Sequence, residues 1–162
     1  MTRDVAGAAV LGVVAGLVAA AAWVLPALAG IDLVSRAGAW CGACVVIALP
    51  WRVVRLLAAN GQRPAPGRAL RIAVFATLVA ALIVGSGLYG LYRWARPTLL
   101  AERFAQQFDA VDRAAIGGTA RAAELTASRA RAFDPLGNAA EAAALLSIGG
   151  AAVALFLAYG RR

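Results

Sequence analysis

The sequence predicts an all-α integral membrane protein: a four-transmembrane-helix bundle with an amphipathic helical segment between helices 3 and 4. Three observations predict it. Of the 162 residues, 62% are hydrophobic, well above the ~45–50% apolar content of a soluble domain. The mean hydropathy is +0.77. The apolar residues gather into four long runs, with the charges between them. At ~1.5 Å rise per residue, about 20 residues cross a hydrocarbon core of ~30 Å. The length fits one membrane domain over residues 1–162.

The first span covers about residues 5–28, Val5 to Leu28, and holds no charge. Its end, Ala27-Leu28-Ala29, looks like a small-x-small cleavage site. The run is about twice a signal core of ~7–15 residues, so it reads as a retained helix. Ala8, Gly12, Gly16 and Ala20 recur every four residues and form a small-residue face that a neighbouring backbone can approach. Pro26 is expected to end or bend this helix. The short turn from Ala29 to Arg36 makes the first two helices antiparallel neighbours.

The second span covers about residues 37–57. Gly38 and Gly42 supply another small pair. Its apolar part stops at Trp51, beyond which Arg52 and Arg55 can snorkel to a headgroup layer. Pro50 is expected to loosen the last turns. Residues 58–71 form a breaker-rich loop, Asn60-Gly61-Gln62-Arg63-Pro64-Ala65-Pro66-Gly67-Arg68. With Arg52, Arg55 and Arg71 it gathers five arginines.

The third span covers about residues 72–92, with Ser86 and Gly90 as its small pair. It ends in Tyr89, Tyr92, Arg93, Trp94 and Arg96, closed by Pro97. Tyrosine and tryptophan here read as an interfacial belt, so Trp51, Arg52, Arg55, Tyr89, Tyr92 and Trp94 are the expected interfacial anchors. Residues 98–138 are the one polar segment. Leu100, Phe104, Phe108, Val111 and Ala115 share a helical face, Gly117-Gly118 breaks it, and Thr119 to Phe133 reads as a weaker helix. Asn138 with Glu141 three residues on forms a capping-box pattern before the fourth span, about residues 139–159.

The formal charge is +8 and every basic residue is arginine; there is no histidine. Such an excess can mark a nucleic-acid binder. Arginines flanking membrane helices account for it here, so no nucleic acid is expected. The expected partners are the lipid bilayer and other integral membrane protein subunits. The dense arginine loop after the second span predicts cytoplasmic N and C termini.

Without histidine, the commonest metal ligand and acid–base catalyst is missing. Two cysteines alone cannot complete a structural zinc site of about four ligands. No metal and no catalytic residue is assigned. No ionisable side chain stands clearly at mid-depth, where one would mark a translocation path. Thr77, Ser86 and Ser147 can bond to carbonyls of their own helices.

Cys41-Gly42-Ala43-Cys44 is the one motif with redox potential, because paired thiols can form a reactive disulfide. The motif and the span count resemble the quinone-linked disulfide oxidases of the DsbB kind. That resemblance implies a Cys41/Cys44 redox pair and a quinone cofactor. The chain departs from it: there is no second cysteine pair, and the next arginine after the motif is Arg52. Otherwise the cysteines act as small packing residues, with no cofactor.

A second resemblance covers more of the chain. It rests on Val24-Leu25-Pro26-Ala27-Leu28 closing the first span and on the arginine-rich loop. It continues through Tyr89, Tyr92, Pro97, Leu99, Leu100 and Arg103, and through Arg131-Ala132-Phe133-Asp134-Pro135-Leu136 leading by Glu141 into the last span. These are similar to the bacterial four-helix family of unknown function related to eukaryotic transmembrane protein 205. Gly137 stands where that family usually carries a histidine. The resemblance implies this fold in a bacterial inner membrane and implies no activity.

The expected function is that of a non-enzymatic accessory or scaffolding subunit of a larger inner-membrane complex, bioenergetic assemblies being one setting. The alternative is a thiol–quinone oxidoreductase.

Overall fold

A computed structural model of the chain describes residues 3–59, 65–102, 104, 127, 130 and 133–159. Four long helices account for most of them: α1 (Arg3–Leu28), α2 (Asp32–Ala59), α3 (Pro66–Gly90) and α4 (Pro135–Tyr159). A π-helical turn, Leu91–Ala95, follows α3 directly. All four helices are long and apolar enough to cross a membrane.

The helices alternate in direction, and the register of their contacts shows it. Gly38 and Gly42 of α2 meet Ala22 and Ala19 of α1 in reverse order, whereas Gly12 and Gly16 of α1 meet Ala76 and Ala80 of α3 in the same order. Helix α3 is the hub, packing on the other three; α2 also touches all three, while α1 and α4 lie on opposite sides of that pair. Half of the apolar stretch of α3 is buried, against 22% for α1 and 17% for α4. Side chains such as Leu17, Leu82, Ile148 and Phe156 therefore face outward, each more than half exposed. An apolar surface this continuous needs an apolar surrounding.

The core consists largely of alanine. Ala69, Ala73, Ala76 and Ala80 line the buried side of α3. A Cβ at Gly12 would come within 2.5 Å of the Ala76 oxygen, and one at Gly16 within 2.9 Å of the Ala80 oxygen. Backbone thus touches backbone, as the loss of side-chain bulk allows. Thr77, fully buried in α3, donates its hydroxyl to the Ala73 oxygen at 2.9 Å, and Ser147 donates to Ala143 at 2.7 Å. Both of these hydroxyls are thereby satisfied within their own helices.

Several element ends differ from the sequence expectation. Pro26 does not end α1; the helix runs on to Leu28. Gly30, at φ +75°, is the stop. The Ile31 N–H donates to the Pro26 oxygen at 3.0 Å and the Gly30 N–H to the Ala27 oxygen at 3.2 Å. That pair of bonds is a Schellman closure, which needs a left-handed residue and so favours glycine. Helix α2 then begins at Asp32, five residues earlier than expected, and runs through Pro50 to Ala59. Helix α3 begins at Pro66 rather than near Ile72, because proline suits a first helical turn.

The cap of α4 is Asp134, not Asn138 with Glu141. Its carboxylate accepts from the Leu136 and Gly137 N–H groups at 3.1 and 3.0 Å. Pro135 takes the position just inside the helix, where its missing N–H costs nothing. Asn138 instead donates its side-chain amide to the Asp134 backbone carbonyl.

Of the polar segment, residues 99–102 are helical. Leu99 and Leu100 are buried against the bundle end. Phe104 meets Phe133 edge-on at 6.4 Å between ring centres. The expected positions of Phe108, Val111 and Ala115, the Gly117-Gly118 break and most of the helix from Thr119 lie outside the described residues.

Candidate functional site

The cysteine pair sits well inside α2. Cys41 is about 14 Å along the helix from Asp32, at ~1.5 Å per residue. Both thiols are free and exposed on the outward side of α2. They are not packing residues of the bundle core, as Gly42 and Val46 are. Gly42 turns inward because its bare Cα lies against Ala19; Cys41 and Cys44 lie off that buried face. Ala37, Cys41, Cys44 and Ala48 all face out, beside Trp40, which is 76% exposed.

The α2 end carries a second grouping. The Arg55 guanidinium carbon lies 4.1 Å from the Trp51 ring centre and that of Arg52 lies 5.8 Å from it. Both fall within the ~6 Å range of cation–π attraction. At the same end, Arg68 of α3 pairs with Asp4 of α1 at 2.6 Å.

At the opposite end the π turn sets the geometry. The Arg96 N–H donates to the Leu91 oxygen, five residues back, at 2.7 Å. The wider turn sends Tyr92 inward, where it is only 4% exposed, and leaves Trp94 outward at 73%. Tyr89 meets Trp94 edge-on at 5.4 Å. Tyr92 is therefore a core residue of the bundle end and not a surface anchor. The Arg96 guanidinium donates to the Ala27 oxygen at the end of α1 and to Glu102, each at 2.9 Å. Thr98 completes the cluster by donating to Glu102 at 2.7 Å.

The small-residue pairs divide unequally. Ala8 is buried, Gly12 and Gly16 meet α3, and Ala20 touches Gly87 of α3. Gly38 and Gly42 meet α1. Ser86 is exposed, and Gly90 faces the ring of Trp94, not a neighbouring helix. The contact that Ser86 and Gly90 were expected to make belongs to Gly85, which lies against Ala139 and Ala143 of α4. Gly149 and Gly150 of α4, unremarked in the sequence reading, meet Ile47 of α2 and Thr77 of α3.

A cavity of about 230 Å³ opens at the Tyr92 end, lined by Trp23, Leu88, Leu100, Phe104 and Leu145 among others. The Trp23 indole N–H is buried nearby and makes no hydrogen bond. An apolar groove of about 430 Å³ runs between α3 and α4 past Gly85, Ser86 and Trp94. Among the described residues no three His, Cys, Asp or Glu side chains gather to hold a metal. Compared with known proteins, the chain matches no family model, no curated protein and no solved structure.

Proposed function

We propose that the chain is a non-enzymatic accessory or scaffolding subunit of a larger complex in a bacterial inner membrane, bioenergetic assemblies being one setting, with both termini cytoplasmic. The observation that supports this reading is the outward side of α2. Ala37, Cys41, Cys44 and Ala48 repeat at i, i+4, i+7 and i+11 and are all exposed. Gly12, Gly16, Gly38 and Gly42 each accept a neighbouring backbone; an outward face of small residues suits a helix of another integral membrane subunit.

The native thiols make the reading testable. Oxidative or bifunctional-maleimide crosslinking in native membranes, followed by mass spectrometry, should join this chain to a second membrane protein. The adduct should vanish in the double variant Cys41→Ala with Cys44→Ala. That variant should still co-purify with the same partner and leave the host phenotype intact. The alternative, a thiol–quinone oxidoreductase, is favoured by one observation, the exposure of both thiols. It predicts instead that the double variant loses periplasmic protein oxidation, or that bound quinone is reduced only when both thiols are present.

A further inference from the structure

We infer that Trp51, Arg52 and Arg55 form a binding site for the phosphate of an anionic membrane lipid. The inference goes beyond the accessory role and does not depend on it, although it does depend on the helices lying in a bilayer.

The charge distribution comes first. Among the described side chains, the end where α1 and α3 begin holds Arg52, Arg55, Arg68 and Arg71 with Asp4, a formal charge of +3. The opposite end holds Arg36, Arg93 and Arg96 with Glu102, Asp134 and Glu141, a formal charge of zero. The single acid of the basic end is Asp4, and Arg68 occupies it at 2.6 Å. Among the described residues no other acidic side chain lies at that end to pair with Arg52 or Arg55.

The geometry adds to the charge. Two guanidinium groups are held around one indole, at 4.1 and 5.8 Å from its centre. Both charges lie within cation–π reach of the same ring, which attracts a cation without neutralising it. A phosphate docked beside the ring would supply the missing counter-charge, and its oxygens match the guanidinium fork. Trp51 marks the point where the apolar part of α2 gives way to arginine, which is headgroup depth for a spanning helix. Lipid phosphates lie at that depth, and basic clusters there recognise anionic headgroups.

The test uses full-length protein in a neutral detergent, with native mass spectrometry of lipid retained from mixed phosphatidylglycerol and phosphatidylcholine. The parent protein should retain phosphatidylglycerol preferentially. Arg52→Gln with Arg55→Gln should weaken that retention about tenfold or more, two surface arginines' worth of attraction. Arg36→Gln with Arg93→Gln removes the same charge from exposed sites at the other end and should change retention less than about twofold. Arg52→Lys with Arg55→Lys keeps the charge without the stacked fork and should fall between the two. Inorganic phosphate at millimolar concentration should not displace the lipid. Equal loss in both glutamine pairs would show a net-charge effect and overturn the site. So would unchanged retention in Arg52→Gln with Arg55→Gln, equal retention of both lipids, or displacement by free phosphate. Matching thermal melts of the parent and the lysine pair keep the comparison valid if a glutamine pair folds poorly.

Discussion

Gly38→Ala should destabilise the bundle by about 2–3 kcal/mol, the upper part of the usual range for overpacking. The cause is one carbonyl. Pro26 has no N–H, so the Ala22 oxygen, four residues earlier in α1, loses its ordinary helical donor. The Gly38 backbone of α2 fills that space: an added Cβ would fall on the Ala22 oxygen. The glycine Cα–H thus faces the orphaned oxygen, a weak hydrogen bond that recurs at helix–helix contacts. Alanine normally gains up to ~1 kcal/mol over glycine inside a helix. The steric loss should exceed that gain because the obstacle is backbone with no rotamer to move. Reversible unfolding in mixed micelles, followed by circular dichroism, checks it; stability equal to or above the parent's would show that α1 and α2 are not in this contact.

Gly150→Ala should cost about 1–3 kcal/mol for a related reason, with one difference that makes it diagnostic. An added Cβ there would meet the Thr77 methyl group, Cγ2. Threonine is stiff at χ1, and this one is pinned by its bond to the Ala73 oxygen. Thr77→Ser keeps the hydroxyl and removes the methyl. In the combined variant the two changes should compensate, with a coupling of about 1–2 kcal/mol in the same unfolding assay. Additive losses would mean that α3 and α4 do not meet at these residues.

The four long helices were legible in the sequence because length and apolar content decide them, and few residues bear on that decision. Choosing the packing faces was harder. Alanine and glycine are so frequent here that small residues recur at many four-residue spacings, and periodicity alone cannot rank them. Gly12 and Gly16 were visible because they repeat in step over α1. Gly85 and Gly149-Gly150 were not, since nothing in the sequence separates them from Ser86 and Gly90.

The helix ends went astray through competing chemistry. Pro26 looked like a stop, yet a proline four residues before a left-handed glycine can stay helical, and Gly30 carries the closure. Asn138 with Glu141 matched a capping pattern, but Asp134 followed by Pro135 satisfies the first N–H groups one turn earlier. Tyr92 was expected at the surface on a regular helical period. The π turn adds a residue to that period and turns the ring into the bundle. The thiols lie off the face that Gly42 turns to α1, which the motif Cys-Gly-Ala-Cys does not announce.

The proposed arrangement has four helices crossing the membrane with the arginine-rich end in the cytoplasm. Paired topology reporters fused at Gly61 and at Gly118 test it most directly, one active only in the cytoplasm and the other only outside. A cytoplasmic signal is expected at Gly61 and an external signal at Gly118. The reverse pattern would contradict the orientation, and signals on the same side at both positions would contradict the four-span arrangement itself.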